Sequence, residues 1–497
     1  MNPTSSKPSS AGEHLDRSAF SGVAWVGAVK WSTQIVAWAG TVIVARILTP
    51  ADFGLLTMAS VFMGVVMILS EFGVGTAVIT LRELPQDQLR QLNAFSVSLG
   101  LGGTLLAALM AYPLGLFFRA PDLPPVLLVV GLTFLITSLQ TVPASLLRRE
   151  LKFRTLALID IGRGLIVPVV TLLGALAGLR YWALALGSVV GAVVTTGLTL
   201  YHRRVSFARP RISGLTHVLN FSRHVLVGRL AWIAYQDGDF AIAGRRLTQS
   251  AVGDYSLAWT LATSPIEKVT NVLSDVTPSL FSAVQDDRPA LRRYFLNLSE
   301  LLCLATFPVS VGIALVSHDI VGVVLGPKWA GAVGPLAFLA LYAGARSVTS
   351  LFGHLFNATR ETRFAMWTSL LLAALLLTGF FVGSFWGATG IAAAWLVVHP
   401  LFSVYSFTRV RKVLDLRGTD YFRALRLGFD GAAVMTAVVL GFEWLVAADW
   451  PPPLRLFISI ALGALTYGGT TWMLHRTRLR QIVAWLKRVR GGGAAAA

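Results

Sequence analysis

The sequence predicts an all-α membrane protein of about fourteen transmembrane helices, and three observations carry that expectation. Of its 497 residues 55% are hydrophobic and only 13% are charged, where an ordinary soluble domain holds roughly 25% charged residues. The apolar residues come in blocks such as Val126 to Leu147 and Trp367 to Phe385, each long enough to cross ~30 Å of hydrocarbon as a helix. The basic residues lie between the blocks, crowded in alternate gaps and sparse in the others.

Taken in order, residues 1–19 are a polar tail with Pro3, Pro8 and many serines. The apolar stretch after it is much longer than the core of a signal peptide, so no cleavage is expected. Spans then begin near Phe20, Phe53, Leu92, Leu123, Phe153, Trp182, Val218, Gly253, Tyr294, Val333, Phe364, Ala388, Leu425 and Leu454. Those near Val218 and Gly253 are the most polar. Lys and Arg in short loops stay on the cytoplasmic side. With the N-terminus inside, the inner segments hold 29 Lys and Arg and the outer segments seven, and the remaining six lie in or near the hydrocarbon. A missed span would invert every later loop and destroy that asymmetry, so both termini are expected in the cytoplasm. Residues 476–490 interleave six cations with Leu479, Ile482, Val483, Leu486 and Val489, the pattern of an interfacial amphipathic helix. The low-complexity tail 491–497 is expected to be disordered.

The chain also repeats itself. At a shift of 199 residues Leu48 and Thr49 meet Leu247 and Thr248, Gly54 meets Gly253, Ala59 meets Ala258, Gln86 and Asp87 meet Gln285 and Asp286, and Leu92 meets Leu291. At a slightly larger shift Arg149, Glu150 and Phe153 meet Arg360, Glu361 and Phe364. The expected layout is therefore a first lobe over 20–210, a second over 211–412, and two further helices over 413–475. Six helices per repeat give both halves the same orientation, related by an axis along the membrane normal.

Ionisable residues inside a membrane are costly and are expected to face a cavity or a partner. Lys30 shares a helix face with Thr33, Gln34, Ala37 and Thr41, and the repeat places Arg229 at the equivalent position. The eighth span adds a stripe of Ser264, Glu267, Lys268, Asn271, Ser274 and Asp275 beside Pro265, which removes a backbone donor and favours a kink. A cavity carrying Lys30, Arg229 and Lys268 would suit a diphosphate, because guanidinium and ammonium groups bind phosphate oxygens strongly. Gln34, Thr41, Gln236, Ser264, Glu267, Asn271 and Asp275 are the candidate polar lining. The competing reading pairs Lys268 with Glu267, Arg229 with Asp237 or Asp239, and Lys30 with Glu71. Glu71, Asp237 and Asp239 are also candidates for coupling transport to H+ or Na+. Arg346 is either a further cavity cation or a snorkelling residue. Asp160 and Arg163, three apart, are expected to form an intrahelical pair.

Other chemistries are missing. A net charge of +18 would fit a nucleic-acid partner if the cations formed one patch, but they sit between apolar blocks. There is no GxxxxGK[ST] and no HExxH, hence no nucleotide-binding loop or metal motif of those kinds. His318, His399 and the single cysteine, Cys303, read as structural. No cofactor and no metal are expected.

The stretches Val44 to Ser60, Leu69 to Ile79, Val142 to Leu158, Arg180 to Gly191 and, more weakly, Pro278 to Asp287 together resemble the Wzx-type polysaccharide-exporting flippases of the multidrug/oligosaccharidyl-lipid/polysaccharide superfamily. The resemblance implies two six-helix lobes in a V around a central cavity, with two extra C-terminal helices. It also implies a substrate: an undecaprenyl-diphosphate-linked oligosaccharide turned from the cytoplasmic to the periplasmic leaflet of the bacterial inner membrane, for exopolysaccharide, O-antigen or capsule. A polymerase or export complex would then be the partner of a functional monomer. The rivals are an ion-coupled multidrug or small-molecule antiporter of the same superfamily, a lipid II flippase, and a membrane-embedded glycan ligase or polymerase. The last would need a long external loop that the sequence does not contain.

Overall fold

Thr49 opens the helix that starts at Pro50, and it does so with a reciprocal cap. In the computed structural model, which describes residues 38–81, 84–210, 236–445 and 450–491, the Thr49 backbone N–H donates to Asp52 Oδ2 at 2.9 Å while the Asp52 N–H donates to Thr49 Oγ1 at 3.4 Å. Two orphan donors of the helix start are satisfied at once, and Pro50 at the first helical position needs no partner. Contacts divide the chain into two compact units, either side of residues 233 and 234.

The first unit holds α1 (Trp38–Ile47), α2 (Pro50–Glu71), α3 (Val74–Thr80), α4 (Gln86–Phe118), α5 (Leu123–Arg149), α6 (Phe153–Leu176) and α7 (Tyr181–His202). Between α2 and α3 the chain turns through two left-handed residues, Phe72 at φ 44° and Gly73 at φ 68°. Helices α4 and α5 approach closely because their contact is lined with small residues, as helix pairs in lipid require. A Cβ on Gly100 would lie 2.4 Å from Ser138 Cβ and 2.8 Å from the Phe134 carbonyl oxygen.

The second unit holds α8 (Gly238–Arg246), α9 (Gln249–Ala283), α10 (Arg288–Leu315), α11 (Val333–Ala358), α12 (Thr362–Gly383), α13 (Gly387–Leu414), α14 (Gly418–Leu445) and α15 (Pro452–Gly491). One core cluster joins Phe295 and Leu302 of α10, Phe352 of α11, Val410 of α13 and Tyr421 of α14. The last helix changes direction at the non-helical His475. Beyond that point Arg478 returns to α10, donating to the buried Glu300 from Nε at 2.9 Å and from Nη2 at 2.6 Å. At the other end of α15, Arg455 donates from Nε to the buried Asp319 at 2.7 Å.

Ten stretches among the described residues are long and apolar enough to cross a membrane, and one of them, Arg363–Leu414, comprises two helices. Helix α9 is long but too polar to count among them; it carries Asp254, Glu267, Lys268 and Asp275. Every predicted span falls on a long helix except those near Phe20 and Val218, which begin outside the described residues. Among the described residues the regular structure is all helical.

The repeat is visible in the helix ends. Helix α1 ends at Ile47 and α8 at Arg246, α2 starts at Pro50 and α9 at Gln249, and Thr248 caps α9 as Thr49 caps α2. Packing partners within each unit correspond too: α5 lies against α2, α4 and α7, as α11 lies against α9, α10 and α13. The shift grows from 199 residues to 210 by the start of α11. Much of the growth is one insertion: the second unit joins α10 to α11 through a π-helical turn, Ile320–Leu325, and a 3-10 turn, Pro327–Ala332, where the first has only a short turn.

Two local expectations are corrected. Asp160 and Arg163 are both exposed on α6 and form no ion pair among the described residues, because their three-residue spacing does not bring the two charged ends together here. Gly491, expected in the disordered tail, is the last helical residue of α15; residues 492–497 lie outside the described ones.

Candidate functional site

Asp239 is a carboxylate in the first turn of α8, wholly buried among apolar helices. An acidic group is favoured there by the exposed N–H groups of a helix start, and Oδ1 accepts the Phe240 backbone N–H at 2.8 Å. Oδ2 accepts the Tyr255 hydroxyl of α9 at 2.6 Å and the Trp395 indole Nε1–H of α13 at 3.0 Å. The same indole lies 3.1 Å from the Tyr255 hydroxyl oxygen, which closes a three-membered polar cluster. An unpaired charge in such surroundings is expensive, yet among the described residues no Lys or Arg pairs with Asp239. Among the described residues only neutral donors hold it: the Phe240 N–H, the Tyr255 hydroxyl and the Trp395 indole.

Aromatic rings wall the cluster. Trp259 stands one turn beyond Tyr255 and 5.5 Å from Trp395; Tyr342 of α11 and Phe380 of α12 lie 4.7 and 4.9 Å from the same indole. His399, one turn beyond Trp395, is buried edge-on to Tyr342 at 5.2 Å, and its Nδ1 has no hydrogen-bond partner among the described residues.

The other predicted site residues divide by location. Lys30, Gln34 and Arg229 lie outside the described residues. Thr41 is half-buried on α1, and Glu71 half-buried as the last residue of α2. Asp237 sits just before α8 without a side-chain capping bond, and the neighbouring Gln236 has a buried Oε1 with no hydrogen-bond partner among the described residues. Helix α9 runs on through both Pro265 and Pro278 as one helix. On it Ser264 and Glu267 are half-buried while Lys268 and Asn271 are exposed; the backbone of Asp275 belongs to the same helix. Glu267 does not pair with Lys268. Its partner is Arg346 of α11, whose Nη1 lies 3.5 Å from Glu267 Oε1. Adjacent residues on a helix point about 100° apart, so a neighbour in sequence is the less accessible partner.

With this geometry in place, comparison with known proteins is informative. The family described as polysaccharide biosynthesis protein matches residues 43–334, more than half of the chain. The chain belongs to this family. Among its relatives, the lipopolysaccharide biosynthesis protein WzxC of Escherichia coli (strain K12) is 25% identical over 425 residues, covering 81% of this chain and 84% of its own. The succinoglycan biosynthesis transport protein ExoT of Rhizobium meliloti (strain 1021) is 23% identical over 469 residues, covering 93% and 94%. The teichuronic acid biosynthesis protein TuaB of Bacillus subtilis (strain 168) is 25% identical over 415 residues, covering 80% and 84%.

Two solved structures share the fold of this family member. The lipid II flippase MurJ in an inward closed conformation superposes with a TM-score of 0.71 at 13% identity, covering 92% of this chain and 99% of that one. An inward-facing multidrug-resistance transporter of the MATE family superposes at 0.60 and 16% identity, covering 76% and 95%. The chain is thus a membrane protein, helical in all its regular structure among the described residues, with the fold of these two structures.

The family match includes Asp239, Tyr255 and all of α9, and it stops short of Trp395 and His399. Sequence reasoning singled out the carboxylate but missed its cage. A signal was present: Tyr255 with Trp259, and Trp395 with His399, are each four residues apart on one helix face, on helices otherwise rich in small residues.

Proposed function

We propose that this protein moves a polyprenyl-diphosphate-linked oligosaccharide repeat unit from the cytoplasmic to the periplasmic leaflet of a bacterial inner membrane, by alternating access, for the synthesis of a surface or secreted polysaccharide. The observation that supports this most is the extent of the likeness to ExoT, a transport protein by name, over nearly the whole of both chains. WzxC and TuaB are named for the synthesis of two other glycans. In this reading the protein carries its substrate without making or breaking bonds, as a monomer with both termini in the cytoplasm, and hands the glycan to a polymerase or export complex. Lys30, Arg229 and Lys268 hold the diphosphate. Asp239 takes up and releases the coupling proton, a role supported by its complete burial and by the neutrality of the three donors that hold it among the described residues.

Deleting the gene tests the reading. Surface or secreted glycan is expected to disappear while lipid-linked repeat units accumulate on the inner leaflet. Unchanged export would overturn it, and a block in cell-wall synthesis with normal glycan export would identify a lipid II flippase instead.

A further inference from the structure

The end of the second unit where α10 begins and α13 finishes carries two adjoining hollows, of ≈ 450 and ≈ 660 Å³, that share Arg288 and Lys412 in their walls. Three of the arginines around them are pinned by carboxylates. Arg409 donates twice to Glu361 from Nη2, at 2.7 and 2.8 Å; Arg292 Nη2 reaches Asp420 Oδ2 at 2.5 Å; and Arg478 is held by the buried Glu300. These bonds fix the walls before any ligand arrives. Arg288, Arg293, Arg360 and Lys412 have no carboxylate partner among the described residues, and all four are exposed. The hollows are therefore a concave surface with an excess of positive charge, these four cations outnumbering the Asp286 and Asp415 carboxylates in the same walls.

We propose that these joined hollows seat the phosphate headgroup of an anionic membrane phospholipid, and that the lipid stabilises the second unit from that end. A lipid is favoured over a free phosphate by what adjoins the charge. On α13 the turns that precede Arg409 and Lys412 carry Tyr405, 50% exposed, and Leu401, 68% exposed, at seven and eleven residues from Lys412. Those intervals keep them on the same helix face. Trp367, also exposed, stands one turn into α12. An acyl chain can lie along this apolar flank while its phosphate sits among the cations. The cytoplasmic orientation read from the loop charges puts the hollows in the leaflet where anionic lipid attracts juxtamembrane basic groups.

The experiment uses the full-length protein in a neutral detergent and follows its thermal unfolding on titration with short-chain phosphatidylglycerol, with phosphatidylcholine of the same chain length, and with inorganic phosphate. Phosphatidylglycerol is expected to raise the midpoint saturably, and the other two to leave it unmoved. The double variant Arg288→Gln with Lys412→Gln removes two cations that have no carboxylate partner among the described residues, and is expected to weaken the response about 30-fold. Arg204→Gln with Arg209→Gln, two exposed cations of the first unit, is expected to respond as the wild type does. An unaltered response in the Arg288/Lys412 variant, an equal shift with phosphatidylcholine, or an equal shift with inorganic phosphate would each overturn the proposal. None of these readouts involves glycan transport, so the result stands apart from the flippase reading.

Discussion

Arg203 reaches Glu150 at 3.0 Å and ties the turn between α5 and α6 to the end of α7; in the second unit Arg409 does the same to Glu361, tying the turn between α11 and α12 to α13. Each turn also contains a left-handed residue, Leu151 at φ 56° and Arg360 at φ 61°. The duplication has thus kept an interaction as well as a helix order: the pair fastens α5 and α6 to α7 in the first unit, and α11 and α12 to α13 in the second.

Glu150 lies outside the membrane-spanning helices, and its acidity makes the pair testable by pH. The hydrogen bond from Lys152 does most to hold its carboxyl below the ordinary carboxylate value, with Arg203 adding to it and burial opposing. A depressed value means that the stabilisation is present above the ordinary carboxylate range and is lost as pH falls through the folded value. Glu150→Gln is expected to lower stability by no more than about 1 kcal/mol at neutral pH, since the pair is partly exposed. The gap to wild type should close in acid. Thermal melts of both proteins from neutral to acid check this, and a gap that stays constant with pH would count against the pair.

The Asp239 cluster makes a different demand, because its members are buried. Tyr255→Phe and Trp395→Phe each remove one donor to Oδ2 and are expected to cost about 1–3 kcal/mol. Their combination should cost less than the sum if Asp239 then takes up a proton and no longer needs both donors. Asp239→Asn is expected to leave a folded protein that no longer responds to a proton gradient in a reconstituted transport assay. Gradient-dependent transport by Asp239→Asn would remove the carboxylate from the coupling step.

Much of this molecule was legible in the sequence, for reasons that also explain what was not. Spans such as Leu123–Arg149 announce themselves because lipid demands a long apolar run, and Thr49 and Thr248 mark equivalent helix starts because a cap is a local feature. The cage of Asp239 depends on a contact 156 residues away, to Trp395, and periodicity says nothing about which helices meet. The insertion at 320–332 was hidden for another reason. Short apolar turns with Gly326 and Pro327 look like any loop until their π and 3-10 geometry is seen. Glu267 was read beside its neighbour Lys268, and it pairs with Arg346.

Close helix packing yields a prediction in the second unit. Gly428 of α14 abuts Cys303 of α10 so nearly that an added Cβ would lie 2.5 Å from Sγ and 2.9 Å from the Cys303 carbonyl oxygen. Gly428→Ala is therefore expected to destabilise by about 1–3 kcal/mol through overpacking. Adding Cys303→Ala should restore only part of the loss, because removing the sulfur relieves one clash and leaves the backbone clash in place. Thermal unfolding of the single and double variants measures both effects; a neutral Gly428→Ala would mean that α10 and α14 can separate freely.

The diphosphate assignment is tested most directly by the two cations that the repeat makes equivalent. Lys30→Ala with Arg229→Ala is expected to abolish export of the glycan while the protein remains folded and membrane-inserted, since the substrate would lose two of the three cations proposed to hold its phosphates. Each single variant should retain part of the activity if the remaining cation still holds one phosphate. Lys268 is exposed on α9 and has no ion pair among the described residues, so Lys268→Ala should weaken transport less than the double variant does. Complementation of a deletion strain, with membrane protein levels measured alongside, ranks the three. Full export by the Lys30/Arg229 variant would rule out that pair as the phosphate site and leave Lys268 as the remaining candidate.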